Sequence, residues 1–325
     1  MNVTMKLLGF LAGLVAVFAG ALGLGTAVGP VGPAPSDDPH AAMAMGDEPV
    51  GEAAATVSLP KGLMVSQDGY EFRLDRATVS PGPAVPLSFT IEGPDGTPVT
   101  GYDEEHEKEL HLIAVRRDFT GFQHVHPEMD GEGSWSTSLR LTPGQWRLFA
   151  DFKATGAEAL TLGNDLAVTG EYQPAAAASD SRSSTFDGYT VTLDGDLTAG
   201  DEAKVTLTVT RDGEPVTDLE PYLGAYGHLV ALRSGDLAYL HVHPEGMPGD
   251  GSTEPGPEVV FYAEVPSAGQ YRLYLDFKHR GEVRTASFAV TASRAPSAQP
   301  SEPAPSDDSD SDDSDSDDEH SGDEH

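Results

Sequence analysis

Cysteine is absent from this 325-residue chain. Its absence excludes disulfides, thiolate metal sites, a lipid-modified cysteine and the blue-copper ligand set, which requires a cysteine sulfur. Positive charge is also scarce. The 19 Lys and Arg residues face 53 Asp and Glu, a formal net charge of −34, which argues against nucleic acid as a partner. Much of that acid sits in the tail, where 12 acidic and no basic side chains follow Ser301. Sustained helical periodicity is missing as well, so beyond the N-terminus the chain reads as all-β.

What is present is a repeated histidine pattern. His111 is followed by His124-Val-His126-Pro127-Glu128, and His228 is followed at the same spacings by His241-Val-His243-Pro244-Glu245. Alternate residues of a strand share a face, which sets His124 and His126 about 7 Å apart on one side. A hairpin centred on Asp118-Phe119 pairs His111 with His126, and one centred on Gly235-Asp236 pairs His228 with His243. Glycine at the first loop position suits a type II′ turn in the second copy, whereas Phe119 fits a longer loop with the same centre. Either loop keeps three histidines on one face, while a one-residue slip turns the first away.

Ile113, Val115 and Phe122 share that face, as do Val230, Leu232 and Tyr239, so the histidines also read as polar ends of core strands. Clustering argues for more. Each buried neutral imidazole needs a donor and an acceptor partner, and protonated neighbours repel. A cation resolves both problems, and histidine is the commonest metal ligand. The expected metal ligands are therefore His111, His124 and His126 in one site and His228, His241 and His243 in another.

Short alternating runs such as Leu87/Phe89/Ile91 and Trp146/Leu148/Ala150/Phe152, separated by Pro- and Gly-bearing turns, predict immunoglobulin-like β-sandwiches. Residues 65–172 form the first and 186–292 the second, joined by a linker at 173–185. Asp68-Gly69-Tyr70 matches Asp187-Gly188-Tyr189, and Trp146-Arg-Leu-Phe-Ala-Asp-Phe-Lys153 matches Tyr271-Arg-Leu-Tyr-Leu-Asp-Phe-Lys278. Tandem duplication accounts for this. Residues 1–29 hold an uncharged run, Leu7–Gly29, read as a signal or membrane-anchor helix with the rest exported. Residues 30–64 read as a disordered linker in which His40, Met43 and Met45 read either as part of a plain Ala/Met linker or as a soft-ligand set. The acidic stretch 293–325, with His320 and His325, cannot form a core.

Asp151 and Asp276 recur in the strand after each hairpin, either in a surface ion-pair ladder with Arg147/Lys153 and Arg272/Lys278 or as carboxylates that fix a ligand's tautomer. Glu128, Glu245, Met129 and Met247 follow the histidine turns closely enough to offer a fourth ligand. His106 and His279 have no counterpart in the other copy (Leu223 and Ala154), and are left out of the site.

The His…His-Val-His-Pro-Glu pattern, with Gly-Gln-Trp-Arg-Leu-Phe-Ala-Asp-Phe-Lys after it, resembles a group of exported bacterial proteins, common in actinobacteria, described as secreted or heavy-metal-binding. The resemblance covers both folded units and implies metal handling outside the cytoplasm. Copper/zinc superoxide dismutase also carries His-x-His on a sandwich strand, but its cysteines and bridging-histidine spacing are missing here. The expectation is an exported, membrane-tethered or secreted pair of β-sandwiches, each binding copper, or alternatively zinc, through three histidines. Its role is sequestration or delivery to a metal-transport partner, not enzymatic. A metal-free structural or adhesion module is the alternative reading, and a metal-dependent enzyme the third.

Overall fold

In the computed structural model, which describes residues 60–240 and 242–294, every helix- or strand-like element is a β-strand. The apolar N-terminal run, the linker before residue 60, the acidic tail and His241 lie outside the described residues. Both repeats belong to one compact unit that begins at Ser58.

Repeat 1 contains β1 (Ser66–Gln67), β2 (Tyr70–Leu74), β3 (Thr78–Val79), β4 (Gly82–Glu92), β5 (Leu110–Arg116), β6 (Gln123–Val125), β7 (Glu128–Met129), β8 (Ser134–Leu141), β9 (Gly144–Phe152) and β10 (Leu160–Val168). Repeat 2 contains β11 (Ser183–Phe186), β12 (Tyr189–Asp194), β13 (Glu202–Arg211), β14 (Glu214–Pro215), β15 (His228–Arg233), β16 (Tyr239–Leu240), β17 (Val242–Pro244), β18 (Glu258–Glu264), β19 (Gly269–His279) and β20 (Glu282–Ala292). The strands of repeat 2 thus begin three residues before the expected boundary at 186. The sheet β1-β2-β4-β8-β7 faces β3-β10-β9-β5-β6, and β11-β12-β13-β18-β17, with β14 on β13, faces β16-β15-β19-β20. Each pair of sheets encloses its own core, around Phe72, Phe89, Trp135 and Trp146 in one repeat and Tyr189, Phe261, Tyr271 and Phe288 in the other. This is the two-sheet arrangement of an immunoglobulin-type sandwich. The Asp-Gly pairs do local work: Asp68-Gly69 and Asp187-Gly188 take φ of 53°/84° and 48°/81°, the left-handed pair that a tight hairpin between β1 and β2, or β11 and β12, requires.

Most strands bury alternate residues, as β18 does, but β5 is buried on both faces. Leu110, Leu112 and Ala114 enter the core of repeat 1, while Ile113 and Val115 face the other way and join Phe149, Val230, Leu232 and Tyr274 in a third apolar cluster. That cluster lies between the repeats. The face carrying the histidines is therefore the face by which the repeats pack together.

The packing is reciprocal. Phe122 of repeat 1 stacks on Tyr274 of repeat 2 with ring centres 4.0 Å apart, and the matching residues Tyr239 and Phe149 approach to 5.7 Å. Equivalent residues exchanged in this way mark a pseudo-twofold, isologous interface. A short strap at the start of the unit also crosses the seam: Tyr239 N–H donates to Lys61 O (2.9 Å), while Arg147 Nη2 donates to Gly62 O (2.7 Å). Gly62, at φ 73°, lies so close to Phe149 that a Cβ would fall 2.5 Å from its ring.

Candidate metal centre

The first hairpin pairs Leu112 with Val125, Ile113 with His124 and Ala114 with Gln123, the register that places His111 opposite His126. In the second, Ala231 pairs with Leu240 and Leu232 with Tyr239, which is the equivalent register. Neither closes in a two-residue turn. In the first loop Phe119 N–H donates to Arg116 O (2.7 Å) and Arg116 N–H to Thr120 O (3.0 Å), with Phe119 at φ 64°. Asp118 braces this longer loop, accepting from Arg116 Nε (2.9 Å) and Thr120 Oγ1 (2.7 Å).

His111, His124 and His126 converge: one nitrogen from each lies within 4.8 Å of the others. His111 Nε2 is 2.9 Å from Glu105 O, and His124 Nδ1 is 3.0 Å from Asp276 Oδ2. A carbonyl and a carboxylate accept, so both of these ring nitrogens carry the hydrogen. The tautomers follow: His111 Nδ1 and His124 Nε2 are both lone-pair nitrogens, yet they stand 3.0 Å apart. Two acceptors at that distance repel unless something positive lies between them.

Other ring nitrogens are equally short of partners. His126 Nε2 and His228 Nδ1 are buried without a hydrogen bond. His228 belongs to repeat 2, yet its ring lies 4.8 Å from that of His124 and stacks parallel to His111 at 5.7 Å. His111 and His228 are equivalent residues, so the pseudo-twofold brings them together. Protons on His111, His126 and His228 do not relieve the cluster at neutral pH. Burial, then neighbouring His124, pushes His111 down to about 3; burial, then His124 and Lys108, pushes His126 to about 4; burial lowers His228 well below the usual range. One proton between His111 and His124 also leaves the nitrogens of His126 and His228 unsatisfied. A cation at the three convergent nitrogens of His111, His124 and His126 would answer their shared need.

Asp276 lies opposite His228 on β19, and Asp151 opposite His111 on β9. Neither joins the expected ion-pair ladder, because Arg147 pairs with Asp165 (3.0 Å), Lys153 with Asp103 (3.6 Å) and Lys278 with Glu220 (3.4 Å). Asp276 acts as a tautomer-fixing carboxylate, but for the other repeat's histidine; its second oxygen accepts from Thr285 Oγ1 (2.5 Å). Asp151 accepts from Thr161 Oγ1 (2.8 Å), and burial raises its pKa, a shift partly offset by that hydrogen bond.

The expected second three-histidine site is not assembled among the described residues. In repeat 2 the chain has left β16 by Val242 and pairs with β18 of the opposite sheet, His243 lying beside Tyr262. In repeat 1 the corresponding crossing pairs only Glu128 and Met129 with β8, three positions later. The early crossing leaves His243 exposed; His241 lies outside the described residues. The four fourth-ligand candidates are not brought to the cluster either. Glu128 is exposed and Met129 packs on the repeat 1 core. Glu245 accepts from Tyr262 Oη (2.9 Å), and Met247 is exposed.

His106, omitted from the expected site, borders it at 6.1 Å from His111 and 5.5 Å from His228. It holds φ 50° in the turn where Leu223 holds 56° in the other repeat. The only signal for it was its place in the polar stretch Asp103–Glu109, directly before the β5 strand. His279 is structural: its Nε2 donates to Asp218 (3.0 Å) and its Nδ1 accepts from Tyr189 (2.7 Å). A cavity of about 370 Å³ rimmed by Glu104, Glu105 and Glu109 runs in to His106, His111 and His228. Lys61, Lys108 and His243 line it as well.

Fold and site together define a tandem pair of immunoglobulin-type β-sandwiches whose histidine-bearing faces close on each other. More particularly, the chain belongs to the family described as Domain of unknown function (DUF8832), matched over residues 65–168 and again over 184–294. No curated protein matches it. Similar solved structures include the Escherichia coli adhesin FdeC, with 16% identity over 71% of this chain and 65% of that one, TM-score 0.23. A Salmonella alpha-2-macroglobulin mutant is 15% identical over 71% of this chain and 15% of its own, TM-score 0.24. The D0–D1 domains of intimin are 12% identical over 69% of this chain and 97% of that one, TM-score 0.21.

Proposed function

We propose that this protein binds a transition-metal ion, copper or alternatively zinc, through His111, His124 and His126, and serves outside the cytoplasm to sequester the ion or deliver it to a transport partner. The observation that carries the reading is the pair of lone-pair nitrogens, His111 Nδ1 and His124 Nε2, held 3.0 Å apart by hydrogen bonds on their far sides. Two nitrogens each about 2.0–2.1 Å from one ion are separated by about 2.9–3.4 Å, according to the coordination angle. Imidazole donors suit Cu²⁺ and Zn²⁺, and the affinity order of first-row ions favours Cu²⁺. The uncharged run Leu7–Gly29 supports export, with the membrane as its anchor if the run is retained.

A metal-free surface module is the second reading, favoured by the apolar seam, since large side chains such as Tyr274 and Phe149 hold the repeats together without an ion. Titration of the full chain with Cu²⁺ and Zn²⁺ separates the two. A tight equivalent that disappears in His124→Ala/His126→Ala supports metal binding. Binding no tighter than that of the same chain unfolded in urea leaves the structural module.

A further inference from the structure

We infer that His228 is the fourth ligand of this same ion, so that one metal, held by three histidines of repeat 1 and one of repeat 2, bolts the two repeats together. The inference rests on the metal reading above and changes its stoichiometry and consequence. Four observations place His228 there. Its Nδ1 is buried without a partner. Its ring lies 4.8 Å from that of His124 and parallel to His111, at 5.7 Å and 9°. Its strand, β15, is held against repeat 1 by Val230 and Leu232, which pack with Ile113 and Val115, so its position is set by the seam. Repeat 2 already serves this centre, since Asp276 reaches across to orient His124 at 3.0 Å.

Geometry asks for one adjustment. The three repeat 1 histidines already offer nitrogens within 4.8 Å of one another; His228 is not in that group, though its ring centre lies 4.8 Å from that of His124. Rotation of its ring brings a nitrogen inward without moving β15, because terminal imidazole torsions are broad and soft. Four nitrogens then close the coordination shell. A closed shell is characteristic of a site that holds its metal, whereas a catalytic site keeps a position open for water or substrate. Release requires the seam to part or the His228 ring to swing out, so the metal's departure is coupled to the fit between repeats. The ligand class is a four-coordinate, nitrogen-preferring divalent ion.

The test uses the full chain and two probes, Co²⁺ for coordination number by visible absorption and Cu²⁺ for the number of bound imidazole nitrogens by electron paramagnetic resonance. Wild type is expected to take one tight equivalent, with a four-coordinate Co²⁺ spectrum and four nitrogens on Cu²⁺. His228→Ala and the bulkier His228→Gln should lose one nitrogen and weaken affinity about 100-fold or more, since losing even a group that only orients a ligand costs roughly 10–100-fold. Melting of the metal-free variants checks that both still fold, and the nitrogen count on wild type stands whether or not they do. Three nitrogens on wild type, or unchanged affinity in folded His228 variants, overturns this inference and leaves the repeat 1 site in place. Two equivalents with one lost on replacing His228 also overturns it, in favour of a site per repeat. Absence of any tight equivalent in wild type overturns the metal reading and this inference with it.

Discussion

Repeats 1 and 2 carry the same histidine spacing on the same hairpin register, yet among the described residues only repeat 1 gathers three imidazoles. The difference arises after the hairpin. In repeat 2 the strand crosses to the opposite sheet at Val242, three positions earlier than its counterpart, and His243 is exposed beside Tyr262, lining the same cavity as His111 and His228. What repeat 2 contributes instead is a face: His228 and Asp276 are presented to the other repeat's histidines. On the proposed reading, duplication has produced the two halves of a single centre, in which equivalent residues hold different roles.

Replacing ligands breaks this asymmetry most sharply. His124→Ala/His126→Ala is expected to abolish the tight equivalent, whereas His243→Ala leaves it intact, as measured by metal titration. The His124 substitution also strands Asp276, whose side chain is 3% exposed, and removing one partner of a buried pair costs about 3–5 kcal/mol. Chemical denaturation of the metal-free double variant reads that cost. Equal losses of metal from both sets of variants would show that the repeats act alike.

The seam tests whether the comparison depends on packing. Tyr274 is 2% exposed, stacks on Phe122 and donates to Phe119 O at 2.8 Å. Truncating a buried aromatic costs about 3–5 kcal/mol, so Tyr274→Ala is expected to lower the unfolding free energy by that much, read by chemical denaturation. Metal affinity should fall with it, because the repeat 2 groups lose their placement. Affinity unchanged in a folded Tyr274→Ala chain would show that repeat 1 alone makes the site.

Acid is expected to act through the same buried histidines. His111 and His126 have folded-state pKa values depressed to about 3 and about 4 from an ordinary 6.5. The unfolded chain therefore takes up protons first as pH falls, so the stability present above pH 6.5 is lost between there and the folded values. His111, which is 4% exposed, contributes about 3 kcal/mol of that loss between pH 7 and pH 4. Denaturant midpoints of the metal-free chain should fall over this window, and by less in His111→Ala. A bound metal is displaced over the same range, because protons compete for the same lone pairs.

Much of this was legible in local pattern. Period-two alternation and the Asp-Gly turns marked the sandwiches, and the equal gaps among the histidines set both hairpin registers correctly. Asp151 and Asp276 stood out because they recur at matching places in the strand after each hairpin, and the structure sets each opposite the first histidine of its repeat. What pattern cannot reveal is which surface covers a face. Ile113, Val115 and Phe122 were readable as apolar companions of the histidines, and their apolarity was the trace of a partner sheet; the partner's identity was a long-range fact. His106 escaped because it sits in an irregular turn at φ 50°, where no periodicity applies. The early crossing at Val242 escaped because it depends on pairing with β18, more than fifteen residues onward in the sequence.

The smallest effect separates the two aspartates, equivalent in sequence and different in use. Asp276 accepts from His124 across the seam and is itself held by Thr285 at 2.5 Å, so it fixes which nitrogen of His124 faces the centre. Asp276→Asn places an amide there, and an amide nitrogen turned toward the ring favours the opposite tautomer. Metal affinity is expected to drop about 10–100-fold, the usual cost of losing a group that orients a ligand. Asp151 has Thr161 as its hydrogen-bond donor at 2.8 Å, and burial disfavours its charge. Asp151→Asn is therefore expected to leave affinity unchanged and to hold or slightly raise stability, since it exchanges a disfavoured carboxylate for a neutral group of the same shape. Parallel titrations of the two variants decide the matter: equal losses would mean that each aspartate orients a ligand and that the pseudo-twofold carries through the metal centre as well as the seam.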